Sequence, residues 1–202
     1  MNARIKITVL LVGLGVLLAF MPNPSKRTFK LAPEDLLEKA ASDEIYFSAD
    51  QVARFVNTED STVQLIDLRS ADEFRKCNIP GSVNIPFEDV LDPVWSVYFN
   101  QQNVRTVFYG NSDILANIAW TLATGLGTEN CYVMKGGLNE WFKTVMLTKF
   151  EGDKITPREN ALFENRYKAR EIFNQINSLP DSLKTKYFDA KRLQRAQLDG
   201  GC

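Results

Sequence analysis

Thr106-Val107-Phe108-Tyr109-Gly110-Asn111-Ser112-Asp113, with the helix-like run 114–127 behind it, is the stretch on which the fold turns. The β-branched and aromatic residues 106–109 predict a short buried strand. Asn111-Ser112-Asp113 predicts a tight polar loop, and Ala119, Trp120 and Leu122 mark an apolar-periodic helix that closes at Gly125-Leu126-Gly127. A strand that feeds a tight loop and a helix N-terminus gathers backbone N–H groups and the positive end of the helix dipole at one point. That is a cradle for an anion or a nucleophile. Gly110 puts no side chain into it.

Outward from this core the same alternation repeats. Residues 63–68 form an apolar run of strand length, Asn78-Ile79-Pro80-Gly81 is a turn, and 82–85 is a second short strand. Two brief helical segments are expected near 87–91 and 94–99, then a strand at 131–134, Gly136-Gly137, and a helix carrying Leu138, Trp141 and Phe142. Upstream, Ser48 caps a helix with Val52, Phe55 and Val56 on one face. Strands alternating with helices predict an α/β domain with a mostly parallel central sheet over residues 45–147. Residues 25–44 are expected to be a linker and a short helix opened by Pro33-Glu34-Asp35. Within 148–178, residues 157–177 read as one charged amphipathic helix with Leu162, Phe163, Ala169, Ile172, Phe173 and Ile176 on its stripe. Residues 179–202 lack sustained periodicity and are expected to be a mobile basic tail ending in Gly200-Gly201-Cys202.

The chain has 202 residues, is 45% hydrophobic, and carries a formal net charge of −1. Nucleic acid is therefore not an expected partner. Histidine is absent, which excludes His metal sites and Cys-His or Ser-His pairs within this chain. No metal or cofactor is expected. Arg4 and Lys6 precede the apolar segment 7–21, which ends at Pro22-Asn23-Pro24. Residues 1–24 are expected to be a signal-anchor, with a transmembrane helix holding the folded domain outside the cytoplasm, on the periplasmic side in a bacterium. The alternatives are a cleaved signal peptide that frees the domain, and a buried core helix. Three cysteines, Cys77, Cys131 and Cys202, do not make a disulfide framework.

Residues 45–145 resemble a rhodanese-like domain. Asp67-Leu68-Arg69-Ser70-Ala71-Asp72-Glu73 is similar to the family's Asp-x-Arg-x-x-x-Glu signature after its first core strand. Residues 79–86 resemble its following turn, and residues 132–141, with Gly136-Gly137 and Trp141, its closing strand and helix. The resemblance implies a three-layer α/β domain and a six-residue loop, Gly110, Asn111, Ser112, Asp113, Ile114 and Leu115, in place of the family's active-site loop. It further implies that Gly110 stands where active members carry the persulfide-forming cysteine, and Leu115 where they often carry an arginine. Cys77 and Asn78 stand where the family often has Gly and His.

Glycine is no nucleophile, and Asp113 opposes the field that a thiolate needs. Asp67, Arg69 and Glu73 are expected to form a structural charge network behind the sheet. The expected function is a membrane-anchored binding or interaction module without sulfurtransferase activity, taking an unknown protein partner or a small anion. One alternative is a sulfur-relay protein carrying a persulfide on Cys202 or Cys77. A second is a structural interaction protein whose cleft is unused. Cys131, in an apolar strand, is expected to be buried and inert.

Overall fold

A computed structural model of the chain describes residues 3–19, 29–99, 101, 103–149 and 156–199. Five parallel strands form one sheet in the order β1-β5-β4-β2-β3, with β1 at Tyr46–Phe47, β2 at Val63–Asp67, β3 at Val83–Asn84, β4 at Arg105–Tyr109 and β5 at Cys131–Met134. The helices are α1 (Ala3–Ala19), α2 (Pro33–Ala40), α3 (Ala49–Thr58), α4 (Ala71–Lys76), α5 (Ser96–Phe99), α6 (Ile114–Gly125), α7 (Gly137–Trp141), α8 (Pro157–Asn177) and α9 (Asp181–Asp199). A single π turn, Phe142–Met146, extends α7.

The strands read as apolar runs because helices cover both faces of the sheet. Alternate residues go to opposite sides. Leu65, Val107 and Tyr109 pack with Val52 and Val56 of α3, Leu138 and Trp141 of α7, and Ala169 and Phe173 of α8. Ile66, Phe108 and Val133 pack with Ala116, Ala119, Trp120 and Ala123 of α6. Three capping boxes, Ser48 with Gln51, Ser70 with Glu73, and Thr156 with Glu159, set the starts of α3, α4 and α8.

Helix α8 has the boundaries its periodicity suggested, and it belongs to the domain core. Arg166 grips Asp50 through Nε and Nη2 at 2.6 and 2.8 Å. Asn165 receives Asn57, Asn177 and Asn78 exchange hydrogen bonds at 2.9 and 3.0 Å, and the Phe173 ring lies against Trp141 and Phe142.

The tail departs from expectation. Residues 181–199, within the segment expected to be mobile, form α9. Its anchor is a thin one: Phe188 packs on Phe74 at 5.2 Å, and Lys184, one turn earlier, buries its stem and donates Nζ to the Arg75 carbonyl. A lysine stem supplies half of that stripe, so the apolar periodicity of the sequence does not register it. Gly200, Gly201 and Cys202 lie outside the described residues.

The transmembrane helix expected over residues 7–21 is not shown. Helix α1 spans 17 residues, about 25 Å of rise against a hydrocarbon core of ~30 Å. No helix among the described residues is long and apolar enough to cross a membrane. Residues 20 and 21 lie outside the described residues. The end of the linker is fastened: the Lys30 N–H donates to the Gly125 carbonyl at 2.7 Å, and a side chain at Gly125 would collide with the Phe29 ring.

Candidate functional site

Strands β2 and β4 end side by side at Asp67 and Tyr109, and the chain that leaves each one builds a cleft at that end of the sheet. After Tyr109, the Gly110 and Asn111 carbonyls turn outward and accept from the Leu138 and Asn139 N–H groups at 2.9 and 3.0 Å. The first turn of α7 thus holds the loop from behind. This requires Gly137: its φ is +57°, and a β-carbon there would sit 2.6 Å from the Gly110 carbonyl oxygen and 2.8 Å from that of Ser112. Asp113, at the N-cap of α6, makes no side-chain cap to its own helix. Its carboxylate accepts from the Gly136 N–H at 3.3 Å, so the acid ties the loop to the double glycine.

After Asp67, the chain enters the capping box of α4. Glu73 accepts from the Ser70 hydroxyl at 2.8 Å, and its other oxygen accepts from Asn111 Nδ2 at 2.9 Å. These bonds, Asn111 first, hold the Glu73 carboxyl below the usual glutamate range. Asp67 and Arg69 form a buried fork, with Arg69 Nη2 at 2.6 Å and Nε at 3.0 Å from the carboxylate. Arg69 also donates to the Cys77 carbonyl at 2.7 Å. Burial works against the Arg69 charge, but the Asp67 hydrogen bonds outweigh it and raise its pKa.

Of the expected network of three, Asp67 and Arg69 bond directly, whereas Glu73 meets Arg69 only through its charge. Asp67 and Arg69 pair at the C-terminal end of β2 beside the cleft rather than behind the sheet, and Glu73 turns away to Asn111. The capping box places Glu73 on the first turn of α4, with one oxygen on Ser70 and the other free to reach Asn111.

Between these walls lies a cavity of about 270 Å³ lined by Arg69, Ser70, Glu73, Phe87, Glu88, Asn111, Ser112 and Leu115, with Leu68 at its base. Asn111, Ser112 and Leu115 of the expected loop line it, whereas Gly110, Asp113 and Ile114 do not; Phe87 and Glu88 are additions. They arrive because β3 ends at Asn84 and the Phe87 N–H is drawn to the Leu68 carbonyl at 3.0 Å.

The electrostatics are acidic. Among the described residues, Arg69 is the one cation lining the cavity, and Asp67 neutralises it, whereas Glu73 and Glu88 are set against no lysine or arginine side chain in an ion pair. Ile114, Leu115 and Ile118 are 66%, 38% and 44% exposed, an apolar strip on the first turns of α6 of which Leu115 lines the cavity. At Gly110 itself there is room: a β-carbon would meet the Ser112 carbonyl oxygen at 3.4 Å and Leu115 Cβ at 3.9 Å, ordinary contacts.

The candidate thiols lie elsewhere. Cys77 caps the C-terminus of α4, partly buried against the α3 side of the core, and does not line the cavity. Cys131 is buried in β5, where burial pushes its thiol up to about 12. Cys202 lies outside the described residues.

The chain resembles known proteins in the same region. Thiosulfate:glutathione sulfurtransferase of Saccharomyces cerevisiae is 27% identical over 108 residues, covering 47% of this chain and 76% of that one. Among solved structures, a single-domain sulfurtransferase of Saccharomyces cerevisiae is 22% identical, covers 48% of this chain and 88% of its own, and superposes with a TM-score of 0.41. A Bacillus halodurans protein is 16% identical, with 65% and 99% coverage and a TM-score of 0.46. Residues 48–144 match the family model of the rhodanese-like domain. With a five-stranded parallel sheet between two helical layers, the chain is thus similar over residues 48–144 to the rhodanese-like domain.

Proposed function

We propose that this protein is a binding module on a rhodanese-like scaffold, without sulfurtransferase activity, and that its cleft takes a neutral or basic peptide segment. The observation that carries this reading is the cavity itself. It has Gly110 beside it in place of a nucleophile, a neutralised arginine, and the two carboxylates Glu73 and Glu88 on its wall. A small anion would meet those carboxylates without a free cation to offset them, so a small anion is the weaker occupant. Cys77 faces another part of the molecule, which argues against a relay through that thiol.

Two measurements test the reading. Purified full chain should form thiocyanate from thiosulfate and cyanide no faster than a thiol-matched control. Steady turnover that survives replacement of all three cysteines would overturn the account of the loop. In parallel, amide signals of residues 111–115 should shift on adding a lysine-rich peptide and stay in place on adding thiosulfate; the reverse pattern would restore the anion reading.

Residues 7–21 are further proposed to attach the protein to a membrane, with the folded domain outside the cytoplasm. Support comes from the basic flank at Arg4 and from the exposed side chains of Ile7, Val9, Leu10, Leu11 and Val12 on α1.

A further inference from the structure

We propose that a second cavity, at the linker end of the domain, binds a phospholipid headgroup that carries both a phosphate and an ammonium. The cavity holds about 770 Å³, within the range of sites that enclose a small organic ligand. It lies between α2 with the turn that follows it, the C-terminal end of α6, and the start of β5. The peptide cleft lies at the other end of α6 and shares no lining residue with it.

Four charged side chains stand on its wall, Lys30 and Lys39 with Glu44 and Glu129. All four are exposed, and among the described residues none of them is in an ion pair. Two cations and two anions that line one cavity without pairing leave both signs to a ligand. A lone anion or a lone cation would meet repulsion there as well as attraction. A zwitterion uses both, with its phosphate toward the lysines and its ammonium toward the glutamates.

The rest of the wall suits what such a headgroup is attached to. Leu31, Ile45 and Trp120 are apolar, and the Trp120 indole N–H is already donated to the Cys131 carbonyl at 2.9 Å. What Trp120 offers the cavity is therefore carbon surface, a match for glycerol and the first acyl carbons. Thr124 lines the same cavity, is 6% exposed, and has a hydroxyl oxygen with no hydrogen-bond partner. A buried hydroxyl left unpaired is costly, and an ester or phosphate oxygen that reached it would accept its proton.

Position favours a lipid over a soluble compound of the same chemistry. The Lys30 N–H is tied to the Gly125 carbonyl, and its stem lies over Gly127, where a β-carbon would sit 2.5 Å from Lys30 Cδ. The cavity wall thus includes the end of the linker that leads back to α1. The choice of a lipid, though not the site, rests on the reading of residues 7–21 as a membrane attachment.

The test places the full chain, labelled with nitrogen-15, in nanodiscs of phosphatidylglycerol, whose head lacks the ammonium. Phosphatidylethanolamine is then added in steps. The amides of residues 42–45 and 127–132 should shift and saturate. Two double variants keep the side-chain stems and remove the charges: Lys30→Met with Lys39→Met, and Glu44→Gln with Glu129→Gln. Each should need about 5-fold more phosphatidylethanolamine for the half-shift, the loss of two exposed ion pairs. Absence of a shift, or half-shifts unchanged in both variants, would overturn the proposal. Glycerophosphoethanolamine, the same head without acyl chains, is added separately to the chain in phosphatidylglycerol discs and should shift these amides less. An equal shift would overturn the lipid source and make a soluble phosphate-and-amine compound the ligand. A chain that stays with the discs and shows no shift loses the cavity alone. A chain that leaves the discs yet answers to glycerophosphoethanolamine loses the attachment, and the lipid source with it.

Discussion

At Gly110 the backbone would accept a side chain, so a thiol can be introduced there without disturbing the fold. Gly110→Cys should leave stability within about 1 kcal/mol, checked by urea melts. It should give little turnover, because the cleft wall carries Glu73 and Glu88 and its one arginine, Arg69, is already paired. Direct titration of the new thiol should give a pKa no lower than the ordinary ~8.5. A thiolate formed near neutrality, together with rapid turnover, would show that the loop N–H groups suffice. The Asp67–Arg69 pair lies at the same scale and is structural. Arg69→Met would strand a carboxylate that is fully buried, and should cost about 3–5 kcal/mol in denaturant unfolding. Glu73 adds a pH dependence. Its folded pKa lies below the unfolded value of ~4.3, so its bonds contribute fully above that value and are lost as pH falls through the lower folded one. The Asn111 side-chain amide signals should therefore titrate with a midpoint below that of an ordinary glutamate, and Glu73→Gln should abolish the transition.

Helices and strands differ in how far the sequence displays them, for reasons visible in particular residues. Strands β2, β4 and β5 are legible because both faces are buried and apolar or β-branched residues fill most of their positions. Helix α8 is legible at both ends, from Thr156-Pro157 with Glu159 to Asn177. Strand β1 is not: two residues carry no period, and its place comes from the Phe47 ring against Phe55 and Tyr132 at 5.2 and 4.8 Å. Helix α9 is hidden for the reason already given, a stripe half made of a lysine stem. The cleft was half visible. Its loop follows from strand β4, but Phe87, Glu88 and the Glu73–Asn111 bond depend on how β3 and α4 are laid beside that loop. Helix α8 supplies a test at this scale. Phe173, 4% exposed between Trp141 and Phe142, should cost about 3–5 kcal/mol on truncation to alanine. Arg166→Ala, which breaks a quarter-exposed ion pair, should cost nearer 1 kcal/mol. If tryptophan fluorescence during urea unfolding showed Phe173→Ala to be as mild as Arg166→Ala, α8 would be an appendage rather than part of the domain.

Taken whole, the molecule has two ends with different duties. The cleft sits at the C-terminal ends of the strands, where α6 begins. The linker arrives at the opposite end, where Phe29 and Lys30 settle on Gly125 and Gly127 as α6 finishes. Helix α6 has 12 residues, so these points are about 18 Å apart along its axis. An attachment through α1 would then present the linker end to the lipid and turn the cleft toward the aqueous side, where a peptide could reach it. The protein should accordingly sediment with membranes and resist salt extraction, and protease added from the non-cytoplasmic side should cut the folded domain. Recovery of the full-length chain in the cytosolic fraction would remove the attachment. The orientation has its own measurement in reconstituted vesicles containing nitroxide-labelled lipid. A fluorophore at Glu129→Cys, near the linker end, should be quenched more strongly than one at Ile118→Cys, which is exposed near the start of α6. Equal quenching at the two sites would mean that the domain tumbles freely on its linker, and that the docking of Phe29 and Lys30 does not orient it toward the bilayer.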